Sequence, residues 1–205
     1  MPPEPTVFVV DDDPQTRNSV CILVRSMGLR AEPFSSAEEF LACFDKDCPG
    51  CLVTDVRMLG MSGVELLEEL NRRGIPLPVV VVTAYPRTSV TIRAIKAGAI
   101  TLLEKPYDDE DLWDAIRKGL AEDKTRRGDY ERREQSRLRF ERLTPAERSV
   151  MRMIVQGKPN KAIAGELGVS LRTIEGRRSE IFAKMQVESV IELVRLVIDA
   201  DLEDA

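Results

Sequence analysis

The residues best suited to chemistry in this sequence are polar side chains that follow directly on short apolar runs. They are Asp11, Asp12, Asp13, Asp55, Thr83 and Lys105. If the runs are strands of one parallel sheet, these side chains gather at the edge where doubly wound folds bind ligands. Two carboxylates about 4 Å apart repel each other by about 4 kcal/mol at an effective dielectric constant of 20, so gathered acids require a cation. Oxygen ligands favour Mg²⁺ or a similar hard ion. Thr83 and Lys105 then add a hydroxyl and a positive charge for an anion, above all a phosphoryl group.

Five segments are predicted to form the strands that position these residues. Four are apolar runs, rich in β-branched residues and too short for helices, which is typical of strands buried on both faces. The fifth contains Pro33 and belongs at a sheet edge. The five segments are residues 7–10, 51–54, 79–82, 100–103 and 30–34. Amphipathic segments alternate with them, so the pattern predicts an α/β fold with a five-stranded, doubly wound parallel sheet. Ser36 and Glu39 have the spacing of a capping box, which is predicted to open the second of these helices.

The acidic residues also have an ordinary explanation. Each one taken alone fits a solvated loop, and Asp13 before Pro14 fits the N-cap of a helix. Four polar signals, each directly after its own apolar run, favour a shared site over unrelated loops.

The absence of histidine excludes several kinds of chemistry. None of the 205 residues is a histidine. The chain therefore supplies no imidazole base, no Ser-His-Asp triad and no histidine zinc ligand. Any phosphohistidine in its reaction must belong to another protein.

As a set, the motifs around the polar residues resemble the signature of two-component receiver domains. The resemblance covers residues 1–121 and rests on Val10-Asp11-Asp12, Thr54-Asp55-Val56-Arg57-Met58, Met61-Ser62-Gly63, Thr83-Ala84 and Lys105-Pro106. It implies a flavodoxin-like receiver that a sensor histidine kinase phosphorylates on Asp55. The Mg²⁺ ligands that it implies are Asp11, Asp12, Asp55 and the backbone carbonyl of Arg57.

The resemblance also assigns Thr83 and Lys105 to the phosphoryl group and implies a cis Lys105–Pro106 bond. An aspartate carboxylate can attack phosphorus while a metal and a lysine neutralise the oxygens. Two positions depart from the family pattern. Leu59-Gly60 stands where a proline is common, which predicts a less rigid loop. Leu102 replaces an aromatic switch residue and is at best a smaller packing switch.

Residues 122–142 are interpreted as a charged, solvated linker. Glu and Arg favour helices, so the linker is predicted to continue the helix before it, with Gly128 as the expected break. The charge balance differs on its two sides. Residues 1–121 hold 13 basic and 19 acidic residues, whereas residues 143–198 hold 9 basic and 6 acidic residues before an acidic tail that includes Glu203 and Asp204. This shift predicts two domains, the second of which acts on nucleic acid.

Residues 143–205 are predicted to form a small all-α domain of four helices. Thr144 and Glu147 form a capping box at the first helix. The remaining predicted boundaries are Gly157 for the end of that helix, 161–167 for the second helix, Ser170 as the cap of a third that reaches Met185, and 189–200 for the last. Helix, tight turn and helix form a helix-turn-helix, whose second helix enters the major groove of double-stranded DNA. A plain four-helix bundle with a solvated charged face fits the periodicity equally well.

The amino-acid sequence of residues 143–205 resembles that of the LuxR-type DNA-binding domain. The matching motifs are Leu143-Thr144-Pro145-Ala146-Glu147-Arg148, Gly157-Lys158-Pro159-Asn160-Lys161-Ala162-Ile163-Ala164 and Val169-Ser170-Leu171-Arg172-Thr173-Ile174-Glu175. With the receiver, the whole chain resembles a NarL/FixJ-type response regulator, which is a transcription factor and not a turnover enzyme.

The resemblance implies several contacts and partners for the second part. The base-facing positions are Glu175, Gly176 and Ser179, and the backbone-contacting ones are Lys161, Thr173, Arg177 and Arg178. The last helix is the usual dimerisation surface, so a homodimer is expected on phosphorylation, with RNA polymerase as a further partner. Gly176 stands where the family commonly has a β-branched residue, and it removes a methyl contact with the bases. The operator sequence of relatives therefore does not predict the one that this chain binds.

Three other functions fit parts of the sequence. They are a constitutive DNA binder with a degenerate receiver, a signalling module that acts only through protein contacts, and a thiol redox protein. The C-x-x-C at Cys48 and Cys51 precedes a strand instead of opening a helix, so ordinary reduced thiols are expected.

The expected location is the cytoplasm, with no membrane partner. The longest nearly apolar stretch, residues 79–84, is far shorter than the ~20 residues that a transmembrane helix needs. Residues 1–6 lack both the basic and the apolar region of a secretory signal.

Overall fold

The computed structural model describes residues 4–202 and divides the chain into two compact units between Arg126 and Arg127. Residues 1–3 and residues 203–205, which include Glu203 and Asp204 of the acidic tail, lie outside the described residues. Within residues 4–202, no helix combines the length and the apolar character needed to cross a bilayer.

The first unit is built on one parallel sheet of five strands, as predicted. The strands are β1 (Thr6–Val10), β2 (Arg30–Phe34), β3 (Gly50–Asp55), β4 (Val79–Thr83) and β5 (Thr101–Glu104). Their order across the sheet is β2-β1-β3-β4-β5, and every neighbouring pair is parallel. The strand with Pro33 therefore lies at an edge, where a missing N–H donor is tolerated. The chain reverses its direction of travel across the sheet between β1 and β3.

Helices cover both faces of this sheet. They are α1 (Pro14–Ser26), α2 (Ala37–Cys43), α3 (Gly63–Arg72), α4 (Thr88–Lys96) and α5 (Asp109–Glu141). Alternate strand residues point to opposite faces. Val7 and Val9 pack with α1 and the start of α5, whereas Phe8 and Val10 pack with α2, α3 and α4. Two buried layers on one sheet are the doubly wound arrangement that the alternating sequence pattern predicts.

Two local predictions at helix ends need correction. Ser36 caps α2 by accepting from the Glu39 N–H, but the Glu39 carboxylate accepts from the Ser35 N–H instead of returning to Ser36. The reciprocal capping box expected there is therefore wrong. The break expected at Gly128 is also wrong, since α5 continues through it. A glycine costs a helix only about 1 kcal/mol, and the surrounding Glu and Arg residues favour the helix.

The prediction that the charged linker, residues 122–142, is solvated is wrong at Asp123. Its side chain is buried, and Oδ2 accepts from the Gly50 N–H at the start of β3 at 3.0 Å. Its Oδ1 accepts from Arg126 one turn later in α5, at 3.2 Å. A buried backbone N–H needs a partner, and this carboxylate supplies one from 73 residues away.

The second unit contains four further helices around a separate core. They are α6 (Pro145–Val155), α7 (Asn160–Leu167), α8 (Leu171–Met185) and α9 (Val190–Asp199). The capping box of Thr144 and Glu147 is confirmed at the start of α6. Gly168 ends α7 with a φ of +64°, which suits glycine in a tight turn. The core residues include Ile163 of α7 and Ile174 of α8, both fully buried, and Phe140 near the end of α5.

Candidate functional site

The carboxyl ends of the central strands bring the predicted receiver residues together. The register pairs Val10 with Thr54 and Asp55 with Val82, so Asp11 and Asp55 leave neighbouring strands at nearly the same height. Lys105 follows β5, and its backbone N–H donates to the Thr83 carbonyl at 2.8 Å. Because β1 and β3 lie at the point where the chain order reverses, this is the crevice in which open α/β sheets bind ligands.

Lys105 joins two of the carboxylates directly. Its Nζ lies 2.5 Å from Asp55 Oδ1 and 3.2 Å from Asp11 Oδ2. Both carboxylates are largely buried, with side-chain exposures of 10% for Asp55 and 8% for Asp11. The Lys105–Pro106 peptide bond is cis, as the resemblance implied. An ammonium group between two buried acids neutralises part of a charge that could not otherwise be buried.

The electrostatics of the site follow from this burial. Burial raises the pKa of Asp11 above its ordinary value, although the Lys105 charge and the Asp13 N–H act in the opposite direction. Burial alone would lower the pKa of Lys105, but the hydrogen bond and charge of Asp55, with those of Asp11, raise it instead. Lys105 therefore stays protonated at neutral pH and provides a fixed positive charge.

Backbone N–H groups hold the remaining carboxylate oxygens. Asp55 Oδ2 accepts from the Arg57 N–H at 2.5 Å, and Asp11 Oδ1 accepts from the Asp13 N–H at 2.9 Å. Asp13 itself caps α1 by accepting from Gln15 and Thr16, and these bonds lower its pKa. The ordinary explanation for Asp13 is thus confirmed, whereas Asp11 and Asp55 face the shared site.

Asp12 points to a different loop. Its Oδ2 accepts from the Leu59 N–H at 2.9 Å and so ties the β1–α1 loop to the loop after β3. The same loop is held by Glu38 of α2, whose Oε1 accepts from the Met61 N–H at 3.0 Å. No local motif in the sequence marks Glu38, because its partner Met61 lies 23 residues away.

Helix α3 begins at Gly63, where the backbone passes too close to the end of β3 for any side chain. A Cβ at this position would lie 2.2 Å from the Asp55 carbonyl oxygen and 2.8 Å from Thr54 Oγ1. The preceding Ser62 caps α3 in a complete capping box with Glu65. The close approach of this helix start to the end of β3 thus depends on the missing side chain.

Thr83 at the end of β4 and Arg57 in the loop after β3 both contact Tyr85. Thr83 is buried, and its Oγ1 accepts from the Tyr85 N–H at 3.2 Å. The guanidinium of Arg57 lies over the exposed ring of Tyr85, 4.5 Å from its centroid. The structure therefore places Thr83 at the carboxyl end of β4, the strand next to β3, with its hydroxyl bonded to the loop after β4. It also adds Tyr85, which no sequence motif indicated.

The donor set suits a hard cation, but its acids do not converge as they stand. Among residues 4–202, no group of three or more His, Cys, Asp or Glu side chains meets the geometry of a metal site. Asp11 and Asp55 lie together around Lys105, while Asp12 is bonded to Leu59. All the candidate ligands are oxygens, which fits Mg²⁺ chemically.

The second unit displays the predicted DNA-contacting residues on α7 and α8. The exposed ones are Lys161, Thr173, Glu175, Gly176 and Ser179, while Arg177 and Arg178 are half-buried. The opposite side of α8 is buried through Ile174, Ile181 and Met185. Arg178 differs from its neighbours because its guanidinium is bonded within the unit, to Asn160 of α7.

One further long-range pair holds α8. The carboxylate of Glu147 accepts from Lys184 Nζ at 2.8 Å through both of its oxygens, in addition to its capping role at Thr144. The sequence indicated only the capping role. The second partner is 37 residues away.

The cysteine pair has no features of a redox site. Cys51 is fully buried in β3, and burial raises the pKa of its thiol. Cys48 is half-buried, and the two residues form no disulfide. A buried thiol with a raised pKa is a poor nucleophile, which agrees with the expectation of ordinary reduced thiols.

Comparisons with known proteins cover both units. The model of the response regulator receiver domain matches residues 7–117, and that of the luxR family of bacterial regulatory proteins matches residues 141–197. Transcriptional regulatory protein FixJ of Azorhizobium caulinodans is 39% identical over 208 residues, which cover 100% of this chain and 97% of that protein. Nodulation protein W of Bradyrhizobium diazoefficiens is 37% identical and covers 93% of this chain and 84% of its own length.

Solved structures show the same likeness. Response regulator StyR superposes with a TM-score of 0.87 at 42% identity, covering 95% of this chain and 98% of that one. Full-length FixJ from B. japonicum superposes with a TM-score of 0.58 at 33% identity, covering 98% of each chain.

Proposed function

The chain belongs to the two-component response regulators that join a receiver domain to a LuxR-type DNA-binding domain, and from this we propose that phosphorylation of Asp55 by a sensor histidine kinase controls its binding to specific DNA sequences. Proteins of this family are regulatory transcription factors, not turnover enzymes. The observation that carries the proposal is the contact of the Lys105 ammonium with both Asp55 and Asp11 at the carboxyl edge of the sheet.

Residues 1–121 are assigned to the receiver, 122–142 to a helical linker and 143–205 to the DNA-binding domain. Asp123 and Phe140, near the two ends of the linker, each pack into the unit beside them. The solvated part of the linker is therefore shorter than its charged sequence.

The chemistry assigned to Asp55 is a phosphoryl transfer onto its carboxylate. One oxygen forms a bond to phosphorus while the bond between phosphorus and the imidazole nitrogen of the kinase's phosphohistidine breaks, and the imidazole keeps the electron pair. Lys105 Nζ, 2.5 Å from Asp55 Oδ1, is placed to offset negative charge on the phosphoryl oxygens. The Thr83 hydroxyl is assigned to donate to one of these oxygens after the transfer, in exchange for its contact with Tyr85.

The cation assigned to the site is Mg²⁺. Asp11, Asp12, Asp55 and the backbone carbonyl of Arg57 would hold it. When bound, it supplies positive charge that stabilises the phosphoryl oxygens. Asp12 Oδ2 accepts from the Leu59 N–H in this structure, and its Oδ1 is the oxygen that would be left for the cation.

The second unit is assigned to the major groove of double-stranded DNA. Glu175, Gly176 and Ser179 face base edges, and Lys161, Thr173, Arg177 and Arg178 contact the backbone. On α9, Ile191 and Ile198 are 68% and 55% exposed, which supports a homodimer formed through this helix on phosphorylation. A dimer places its half-sites about one helical turn apart. RNA polymerase is the further partner assigned to the bound regulator.

Treatment of the full chain with acetyl phosphate and Mg²⁺, followed by intact mass measurement, tests the transfer. The wild type should gain one phosphoryl group and Asp55→Asn none. Asp114→Asn, which alters a 69% exposed acid of α5, is the matched control and should be phosphorylated normally. An unchanged gain in Asp55→Asn, or no gain in the wild type, refutes the assignment and leaves a constitutive DNA binder with a degenerate receiver.

Selection of duplexes from a random pool, with and without phosphorylation, tests DNA binding. The phosphorylated chain should select one sequence and bind it with an affinity that falls steeply as salt rises. The absence of any salt-sensitive binding would favour a module that acts only through protein contacts.

A further inference from the structure

Arg178 is the one predicted DNA-contacting residue with a described partner in another helix of its own unit. Its Nη1 donates to Oδ1 of Asn160, the first residue of α7, at 3.1 Å. Its guanidinium also lies 5.2 Å from the ring centroid of Phe182, one turn further along α8. Both Arg178 and Asn160 are half-buried. A planar guanidinium held by a hydrogen bond and an aromatic ring has little freedom to reach outward.

The contact lies between the two groups of residues assigned to DNA. Asn160 precedes Lys161 on α7, and Arg178 lies between Arg177 and Ser179 on α8. Behind this contact, the fully buried Ile163 and Ile174 pack the two helices together. Packing sets the distance between the helices, while the hydrogen bond ties their outward sides at one point.

From this geometry we propose that Arg178 is a positioning residue that acts through Asn160 to hold α7 and α8 in the arrangement that fits the major groove. This inference rests on the proposed DNA-binding function, and it assigns to Arg178 a role other than backbone contact. A contact formed before binding spares the complex the cost of ordering these helices on the DNA. Asn160 lies in one of the motifs that resemble the LuxR-type domain, and the structure gives it a role as the partner of Arg178.

Arg177 is the natural comparison. It is the adjacent arginine and is half-buried like Arg178, but its side chain has no hydrogen bond or ion pair among residues 4–202. A plot of log affinity against log salt concentration has a negative slope, and each arginine that binds a phosphate makes this slope steeper by about 0.9. A residue that acts through Asn160 instead shows coupling to Asn160.

The test is a double-mutant cycle on the full chain, phosphorylated with acetyl phosphate and Mg²⁺, with a duplex that the wild type selected from a random pool. Arg178→Ala and Asn160→Ala should each lower the affinity by about tenfold, the equivalent of one charge-assisted hydrogen bond. The double variant should bind within about threefold of the single variants, because both changes remove the same contact. Asn160→Ala removes no charge, so its salt slope should equal that of the wild type.

Two controls separate positioning from direct contact. Arg177→Ala should make the dependence of log affinity on log salt concentration less steep by about 0.9. Its loss of affinity should add to that of Asn160→Ala. Arg178→Lys keeps the positive charge but lacks the planar fork, so it should lose nearly as much affinity as Arg178→Ala. Far-UV circular dichroism checks the fold of each variant. Should Arg178→Ala not fold, Arg178→Lys takes its place in the cycle.

Three results would overturn the proposal. They are wild-type affinity in Asn160→Ala, additive losses in the double variant, and full affinity in Arg178→Lys. Failure of the proposed function is a different outcome, since the wild type itself would then show no salt-sensitive DNA binding.

Discussion

The ion pair between Glu147 and Lys184 offers the sharpest test of how the second unit is held together. Lys184 Nζ lies 2.8 Å from both carboxylate oxygens, and Oε2 also accepts from the Thr144 N–H at 2.7 Å. The side chain of Glu147 is 9% exposed and that of Lys184 is 30% exposed. Glu147→Gln keeps the shape and an acceptor for Thr144 but leaves the Lys184 ammonium without its counter-charge.

The expected loss of stability is that of one charge-assisted hydrogen bond and is smaller than the loss from a fully buried ion pair. A charge-assisted hydrogen bond contributes about 1.5–3 kcal/mol, and removal of one partner from a fully buried pair costs about 3–5 kcal/mol. Because Lys184 keeps some exposure and can rehydrate, we expect a decrease of about 2 kcal/mol in the free energy of unfolding. This corresponds to about 30-fold faster exchange of the α8 amides that exchange only when the unit unfolds.

Hydrogen–deuterium exchange of the full chain, read by mass spectrometry on peptides from α8, measures this change. The matched control is Glu166→Gln, which breaks the pair of Lys158 Nζ and Glu166 Oε2 at 2.7 Å. That pair is 34% and 49% exposed, so its loss should change exchange by less than about threefold. Equal effects of the two variants would refute the argument from burial.

The pH dependence provides a second check on Glu147. Burial would raise the pKa of this carboxyl, but the hydrogen bonds from Lys184 and Thr144 lower it below its unfolded value of 4.5. The stabilisation is therefore fully present above pH 4.5 and is lost as the pH falls through the folded-state pKa. Urea unfolding of the wild type and Glu147→Gln should converge in acid, and a difference that stays constant with pH would contradict the assignment.

Three further changes test packing and helix formation. Gly63→Ala should destabilise the receiver by about 3 kcal/mol in urea unfolding, because its Cβ would lie 2.2 Å from the Asp55 carbonyl oxygen; wild-type stability would contradict the close approach. Asp123→Ala should cost about 2 kcal/mol in the same assay, since the buried Gly50 N–H loses its partner; a neutral effect would show that this contact is not formed. Gly128→Ala should stabilise the chain by about 1 kcal/mol in thermal unfolding, because nothing lies within 4 Å of the added methyl group; a loss of helicity would mean that α5 is interrupted there.

Local sequence patterns were sufficient to predict the strands and most helix ends. The β-branched runs predicted four of the five strands, and the segment with Pro33 was predicted as the fifth, at the sheet edge where β2 lies. Thr144 with Glu147 predicted the start of α6, and the predicted second helix of this unit ends at residue 167, as α7 does. These features depend on residues a few positions apart, whose backbone conformations and hydrogen bonds are set locally.

The gathering of Asp11, Asp55 and Lys105 was also predictable, for a topological reason. In a parallel sheet the carboxyl ends of all strands lie at one edge, so residues that follow the strands meet there whatever the details of packing. The partner of each oxygen was not predictable. Asp12 bonds to the Leu59 N–H, 47 residues away, whereas the local cap that Asp13 forms on α1 did follow from the sequence.

Only the tertiary structure decided which polar groups are buried and with whom. Asp123 in a charged segment, Glu38 in α2 and Asn160 in α7 look like ordinary surface residues in the sequence, yet each holds a partner on another element. Charge and periodicity describe a residue's own helix or strand. The burial of that residue and its distant partner arise only when the elements pack, because a hydrogen bond of about 3 Å requires the relative placement of two elements to within a fraction of an ångström.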